Sequence, residues 1–460
     1  TAALLTFSLM LFEIFRQPYM FSLSSAFMLL LNFLSWQRRE LLLDMLTRIP
    51  SNQAFQKSLT HVVDGRREKT VLLLDIENFR LLNERYGEEG GDTILQSFSR
   101  FLTNTFPYAM VFRMGGNRFT LIFDRLTHNE IVREVNKIKE NIANGCLIGE
   151  AQVSFHVNIA IVELPLKKQT SEEVLDSLNF TMAEIKEKRR QPVIIFNQKL
   201  IGVRQRRLDV LSTLRRALVS QDMIRVYFQP IMDIRNNAIF AAEALMRLED
   251  KQLGIISPGE FIPLAEQAGL ISMVTEIMLR KVSAFLLEHP SLTTMLSHIS
   301  INISAEDLAS GDVACRLLDI LSQSGLDGRK IGFEVTESTL LATNPLVMKS
   351  WDAFSAMGVR FFLDDFGTGY ANLESLVSLP FDTVKIDRSV VSNQKNDYEL
   401  LRLISRMLQS LNTEVVAEGV ETEEHLQVIR QTNIAYVQGY YFTRPLPPDA
   451  FLTWVDRFQG

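Results

Sequence analysis

The sequence predicts an α/β protein in three parts: an N-terminal transmembrane helix, an α/β domain with a central mostly antiparallel sheet and flanking helices, and a C-terminal (β/α)8 barrel. Three observations predict it. Residues 17–37 carry no charged side chain and are mostly apolar. Between residues 41 and 200, apolar runs alternate with amphipathic stretches around one Gly-Gly hairpin. From Ile224 onward, short apolar runs that end in a polar residue recur, and amphipathic stretches separate most of them. That is the pattern of a barrel whose functional groups gather at the C-terminal ends of its strands. The expected boundaries are 1–40, 41–200 and 201–460.

Length and composition fit this division. A chain of 460 residues has room for two or three domains, and 47% apolar with 22% charged residues supports a good-sized core. The formal net charge of −6 argues against broad nucleic-acid binding but allows a small anionic substrate met through metal ions. Cys146 and Cys315 stand alone, which fits a reducing compartment and excludes a cysteine-based zinc site.

In the N-terminal part, Gln17–Gln37 has about the length that crosses a bilayer. Arg38 and Arg39 follow at once and favour a cytoplasmic C-terminal side. Tyr19 and Trp36 stand where interfacial aromatics would. The expectation is an anchor in the inner (cytoplasmic) membrane with the remaining domains in the cytoplasm; the alternative is a buried helix.

In the second part, Val71–Phe79 (VLLLDIENF) reads as a buried strand ending in acids. Leu81–Tyr86 starts a helix that Glu88–Asp92 (EEGGD) breaks and restarts. Met110–Phe123 reads as strand, tight Gly-Gly turn, strand. Val153–Val162 is a further strand and Ser171–Lys188 a helix.

This part resembles the GGDEF diguanylate cyclase family. Asp44–Phe55 (DMLTRIPSNQAF) is similar to its opening motif, and Asp75–Leu95 (DIENFRLLNERYGEEGGDTIL) to its DxDxFKxxNDxxGHxxGDxxL block. The resemblance implies a metal ligand at Asp75, guanine-reading residues at Asn83 and Asp92, and a phosphate-contacting lysine at Lys186. The departures are informative. Asn117 and Arg118 stand where the family has an acid at each position, and Arg118 puts a cation where metal charge belongs. Glu77, Glu88, His156 and Asn158 depart too, and Phe106–Ala109 lacks the RxxD inhibitory motif. The expectation is a domain dead as a cyclase, kept for folding and homodimer formation or as a regulatory pocket for GTP.

Val203–Leu218 is basic with helical period and reads as a linker helix. Beyond it, the apolar runs end at Gln229, Glu243, Asn302, Glu334, Asp364/Asp365, Lys385, Glu418/Glu421 and Gln438. A single acid at a strand end is usually solvated; coordinating residue types in successive units point to one site. Carboxylates plus one amide make an oxygen-only set, suited to Mg2+ or Mn2+. Two ions bridged by one acid are a device for phosphodiester hydrolysis. Asp364 and Asp365 together read as a metal-bridging pair or as two solvated acids at a strand end.

This part resembles the EAL family of cyclic di-GMP phosphodiesterases over its whole length. Glu243-Ala244-Leu245 is the signature, and Ser257–Ile271 (SPGEFIPLAEQAGLI) and Asp364–Leu373 (DDFGTGYANL) match further motifs. The resemblance implies that Glu243, Asn302, Glu334 and Asp364 hold one ion, and that Asp364 and Asp365 hold another with help from Glu418. Lys385 is implied to orient water, Glu337 to anchor the mobile loop, and Arg247 to contact phosphate. Gln229, Leu245, Glu421 and Gln438 complete the implied substrate site. The expected function is metal-dependent hydrolysis of cyclic di-GMP to pGpG. Its rivals are a non-catalytic cyclic di-GMP receptor at the membrane and a bifunctional cyclase–hydrolase, the latter opposed by Asn117 and Arg118.

Overall fold

The computed structural model describes residues 42–148, 151–165, 170–188, 191–336, 345–367, 381–392, 398–411 and 413–459, with single positions at 26, 27, 29, 30, 376 and 379. The chain divides into two compact units, Thr1–Arg204 and Gln205–Gly460.

The expected membrane helix is corrected. Among the described residues no helix is long and apolar enough to cross a membrane. Of the stretch 17–37 only Ala26, Phe27, Leu29 and Leu30 are described, helical and exposed. The rest of the stretch lies outside the described residues.

In the first unit, the strands are β1 (Lys69–Ile76), β2 (Met110–Gly115), β3 (Arg118–Asp124), β4 (Cys146–Ile148), β5 (Ala151–Val153), β6 (Val157–Leu164) and β7 (Val193–Ile195). β4 and β5 form a separate ribbon, and the other five make one sheet in the order β2-β3-β1-β6-β7. Its pairs are antiparallel except β6 with β7. The central strand β1 is apolar from Val71 to Leu74, and both of its faces are covered. Leu72, Leu74 and Ile76 pack with residues of the helices Phe79–Thr105 and His128–Asn144, while Val71 and Leu73 pack with those of Asn52–Asp64 and Ser171–Lys188. This is the period-2 alternation of a strand read twice.

Two local features aim the ends of β1 and β3. The hairpin turns at Gly115 (φ 108°) and Gly116 (φ 55°), a backbone region that side chains disfavour. The long helix breaks at Gly87 (φ 75°), one residue before the expected EEGGD break. Near the start of the domain, Arg113 on β2 donates to Asp44 (2.7 Å), which also accepts from the Thr47 backbone and hydroxyl. Burial pushes the Asp44 carboxyl up, but these partners together hold it below the usual carboxylate range.

In the second unit, the strands are β8 (Ile224–Asp233), β9 (Ala238–Asp250), β10 (Gly254–Ile256), β11 (Ile299–Asn302), β12 (Ile331–Thr336), β13 (Arg360–Phe366), β14 (Thr383–Ile386), β15 (Glu414–Ala417) and β16 (Tyr436–Val437). They form a nine-stranded sheet in the order β10-β9-β11-β12-β13-β14-β15-β16-β8, closed by a β8–β9 pairing. β10 is an appendage on β9, and the remaining strands make the barrel. Parallel pairing runs from β9 through to β16, but β8 is antiparallel to both neighbours. The barrel therefore departs from a regular (β/α)8 at its first strand. The physical reason is the connection: only residues 234–237 join β8 to β9, with Asn237 left-handed (φ 48°). A turn of that length closes a hairpin, whereas a parallel crossover needs about a dozen residues.

Side chains alternate along the barrel strands. Ile299, Ile301, Phe333, Val335, Phe361, Leu363, Val384 and Ile386 belong to the apolar core, while Ser300, Glu334, Asp364 and Lys385 fall between them. Below the acidic residues the interior is plugged by rings: His298 stacks on Phe362 (4.6 Å between centroids) and meets Phe240 edge-on (5.8 Å). A Cβ on Gly332 would stand 2.4 Å from the Phe362 ring, so that strand position must be glycine.

Candidate active site

Strand periodicity places the site. Ser300 on β11 pairs in register with Glu243 on β9, Asn302 with Glu334 on β12, and Gln229 on β8 with Glu243. Glu418 and Gln438 lie one residue past β15 and β16. They stay in register because Glu418 N–H donates to the Ile386 carbonyl (3.0 Å) and Gln438 N–H to the Ala417 carbonyl (2.9 Å).

Lys385 occupies the centre and is 1% exposed. Its Nζ lies 2.6 Å from Glu418 Oε1, 2.8 Å from Glu334 Oε2, 3.2 Å from Asp364 Oδ1 and 3.4 Å from Glu243 Oε2. A second layer of donors fixes the acids. Gln438 donates to Glu243 Oε2 (2.6 Å) and to Gln229 Oε1 (3.2 Å), and Asn302 donates to Glu243 Oε1 (3.3 Å). Ser300 donates to Glu334 Oε1 (2.5 Å), and Gln229 is held in turn by the Thr443 carbonyl (3.2 Å).

One ammonium cannot neutralise this many carboxylates. Burial, then Glu243 and Asp364, push Glu334 well above the usual carboxylate range against the opposing pull of Lys385. Burial, with Asp364 and Glu243, likewise pushes Glu418 up to about 8. Asp365 is an exposed residue at the rim, but partial desolvation of its carboxyl, then Asp364 and Asp387, raise it to about 6. Burial alone would lower Lys385, but Asp364, Glu243, Glu334 and Glu418 hold it charged, well above its ordinary value.

The surplus negative charge fits a cation, and so does the geometry. Asp364, Asp365 and Glu418 each offer an oxygen within 4.8 Å of the others'. Asp364 Oδ1 is buried and, although near Lys385, makes no aligned hydrogen bond. An oxygen-only donor set of this kind suits Mg2+ or Mn2+.

Not every predicted residue joins the cluster. Leu245 and Arg247 share a face of β9 with Glu243, and the Arg247 guanidinium lies over the Tyr227 ring (5.4 Å) while donating to the Met246 carbonyl (2.9 Å). Glu421 is paired with Arg388 instead (3.0 Å). Glu337 and residues 368–373 of the expected mobile loop lie outside the described residues. Sequence reasoning missed Ser300, whose only signal is its place two residues before Asn302 on the same strand face.

In the first unit, Asp75 is 1% exposed at the end of β1. It accepts from Arg118 Nε (2.9 Å), Lys186 Nζ (2.8 Å) and Asn117 Nδ2 (3.2 Å). Asp75, Asn117 and Lys186 line a cavity of about 920 Å³; Asn83 and Asp92 are not among its lining residues. Among the described residues Asn83 Oδ1 is buried without a partner, and a Cβ on Gly91 would stand 1.9 Å from it.

A closed barrel with carboxylates, an amide and a buried lysine converging at the strand ends defines a class: barrels whose C-terminal mouth gathers an oxygen-only donor set able to hold a cation. The chain belongs to the EAL domain family, whose profile matches residues 211–445, just over half of its length. The profile of the diguanylate cyclase GGDEF domain matches residues 41–192.

Three relatives give the range of similarity. The bifunctional diguanylate cyclase/cyclic di-GMP phosphodiesterase MucR of Pseudomonas aeruginosa is 28% identical over 420 residues, 90% of this chain and 61% of the relative. The solved PaMucR phosphodiesterase in complex with c-di-GMP is 31% identical, covers 53% of this chain and 99% of that one, and superposes with a TM-score of 0.50. The Vibrio cholerae LapD S helix-GGDEF-EAL structure bound to c-di-GMP covers 90% of this chain and 99% of that one with a TM-score of 0.63; at 18% identity it bears on the fold alone. The chain spans 52–63% of the length of the first curated relatives it matches.

Proposed function

We propose that the barrel hydrolyses cyclic di-GMP to linear pGpG with two Mg2+ or Mn2+ ions, and that the GGDEF domain is inactive as a cyclase and serves a homodimer as a regulatory or dimerisation module. The observation that carries the reading is the convergence of Glu243, Glu334, Asp364 and Glu418 on the buried Lys385. Membership of the EAL family and the similarity to a solved phosphodiesterase complexed with c-di-GMP support it.

Glu243, Asn302, Glu334 and Asp364 would hold one ion, and Asp364, Asp365 and Glu418 the other. When bound, such ions activate water and offset charge on the phosphodiester. The chain's residues position everything else. Lys385, already charged and dry, offers its ammonium to the attacking water or a phosphate oxygen without waiting for a proton. Gln438, Gln229 and Asn302 hold the Glu243 carboxylate in one orientation. Arg247, braced on Tyr227, presents a guanidinium suited to a phosphate.

Asn117 and Arg118 support the inactive cyclase reading, since neither supplies the carboxylate that a metal-bound triphosphate needs. The retained Asp75 and Lys186 support GTP as an occupant of the first unit.

The test is to incubate the purified chain with cyclic di-GMP and Mg2+ and resolve the products by chromatography. Accumulation of pGpG supports hydrolysis. Tight binding with no turnover replaces the reading with a receptor.

A further inference from the structure

The surroundings of Asp75 do not fit the divalent ion that resemblance to the cyclases implies there. The carboxylate is 2% exposed, and its Oδ2 already accepts from two cations, Arg118 and Lys186. Its Oδ1 accepts from the Asn117 amide nitrogen, which also donates to the Ile76 carbonyl (2.5 Å). A metal ion at Asp75 would displace these donors and stand beside two positive charges. The ion's charge has been replaced by side chains of the protein itself.

The replacement leaves a surplus of positive charge beside the cavity. Two cations share one buried acid, and each remains partly open to solvent, Arg118 at 42% and Lys186 at 46%. Arg118 uses Nε on Asp75, and among the described residues its Nη hydrogens have no other protein acceptor. Lys186 and Lys139 line the cavity with Asp75 and Glu77, while Arg118 is not a lining residue and adjoins it through its bond to Asp75. The helix Phe79–Thr105 begins there with Asn78, which makes no side-chain cap, and no acid occupies its first turn. Asn83 and Asp92, the residues implied to read guanine, do not line the cavity, whereas Lys139 and Lys186 do.

We infer that this cavity binds a triphosphate without any divalent metal, Arg118 and Lys186 supplying the countercharge. The inference rests on the reading of the first unit as a nucleotide site and specifies how that site works.

The experiment is calorimetry on the whole chain with GTP and with inorganic tripolyphosphate, each in EDTA and in Mg2+. In EDTA the barrel mouth keeps its uncompensated carboxylates and repels the same anions, so the first unit is read alone. GTP binds in EDTA at least as tightly as in Mg2+, and tripolyphosphate competes with it. Arg118→Gln and Lys186→Gln each weaken GTP in EDTA by about tenfold or more. Arg118→Glu removes binding in EDTA and regains it in Mg2+. Thermal melts of each variant separate lost binding from lost fold. Wild-type binding that requires Mg2+ overturns the inference and leaves the nucleotide site standing; no binding in either condition overturns both. Failure of tripolyphosphate to compete, or unchanged affinity in Arg118→Gln and Lys186→Gln, overturns the assignment to these two cations.

Discussion

Asp364 and Asp365 are consecutive in the chain, yet both offer a carboxylate oxygen to one point shared with Glu418. Neighbours in a regular strand face opposite ways. Here β13 shifts register against β14 between Leu363 and Phe366, and Asp365 adopts a left-handed backbone (φ 57°). The bulge swings the second acid back toward the first, and aspartate is among the few L-residues that enter this backbone region readily.

Substitutions at Asp365 separate backbone from charge. Asp365→Asn tolerates the left-handed conformation, so it keeps the fold while turnover falls by on the order of 10²–10³. Asp365→Val adds a melting-temperature loss equivalent to about 1–2 kcal/mol, because a β-branched residue resists that backbone. Equal melting temperatures for the two variants would show that the strain is relieved elsewhere.

Metal dependence follows from the all-oxygen donor set. The expected outcome is that EDTA abolishes phosphodiesterase activity, Mg2+ or Mn2+ restores it, and Ca2+ fails because its longer, looser coordination misplaces water. Full activity in EDTA is the result that sinks the two-ion reading. Glu243→Ala and Asp364→Ala each lose on the order of 10³-fold in turnover, with circular dichroism unchanged.

Lys385→Met leaves the four converging carboxylates without the ammonium they share. Destabilisation of about 3–5 kcal/mol is expected, since removing one partner strands buried charge. Mn2+ recovers part of the lost melting temperature in this variant, and turnover stays low. A melting temperature indifferent to both mutation and metal would place the ammonium outside the electrostatic balance of the site.

His298 sets an acid limit. It is 1% exposed, neither ring nitrogen has a hydrogen-bond partner among the described residues, and burial, then Arg360 and Lys330, push its pKa down to about 3. A depressed folded-state value means the unfolded chain takes up the proton first. The histidine therefore costs nothing above about pH 6.5 and destabilises progressively as pH falls toward 3. At pH 5 the contribution is about 2 kcal/mol. His298→Leu flattens the fall of melting temperature between pH 7 and pH 5; an unchanged slope would assign the acid sensitivity to other groups.

Much of the barrel site is legible in the chain because strand periodicity is local. Glu334, Asp364 and Lys385 each close an apolar run, and residues two apart share a face, so one rule collects them without knowledge of the whole. The Gly115-Gly116 hairpin is legible for the same reason, since its backbone demands glycine. Ser300 is not, because a serine in a strand gains meaning only when a neighbouring strand brings Glu334 within 2.5 Å.

The amino-acid sequence by itself determined the alternation of elements, the both-faces-buried character of β1 and the chemical type of the residues at the barrel's strand ends. Tertiary structure alone decided that β8 runs against its neighbours, that Asp365 turns back beside Asp364, that Glu421 goes to Arg388, and that Arg118 and Lys186 meet at Asp75 across 43 and 111 residues of chain. The reason is range. Periodicity and backbone preference act over a few residues, whereas charge pairing and register are settled by whichever distant groups folding brings to within hydrogen-bond distance.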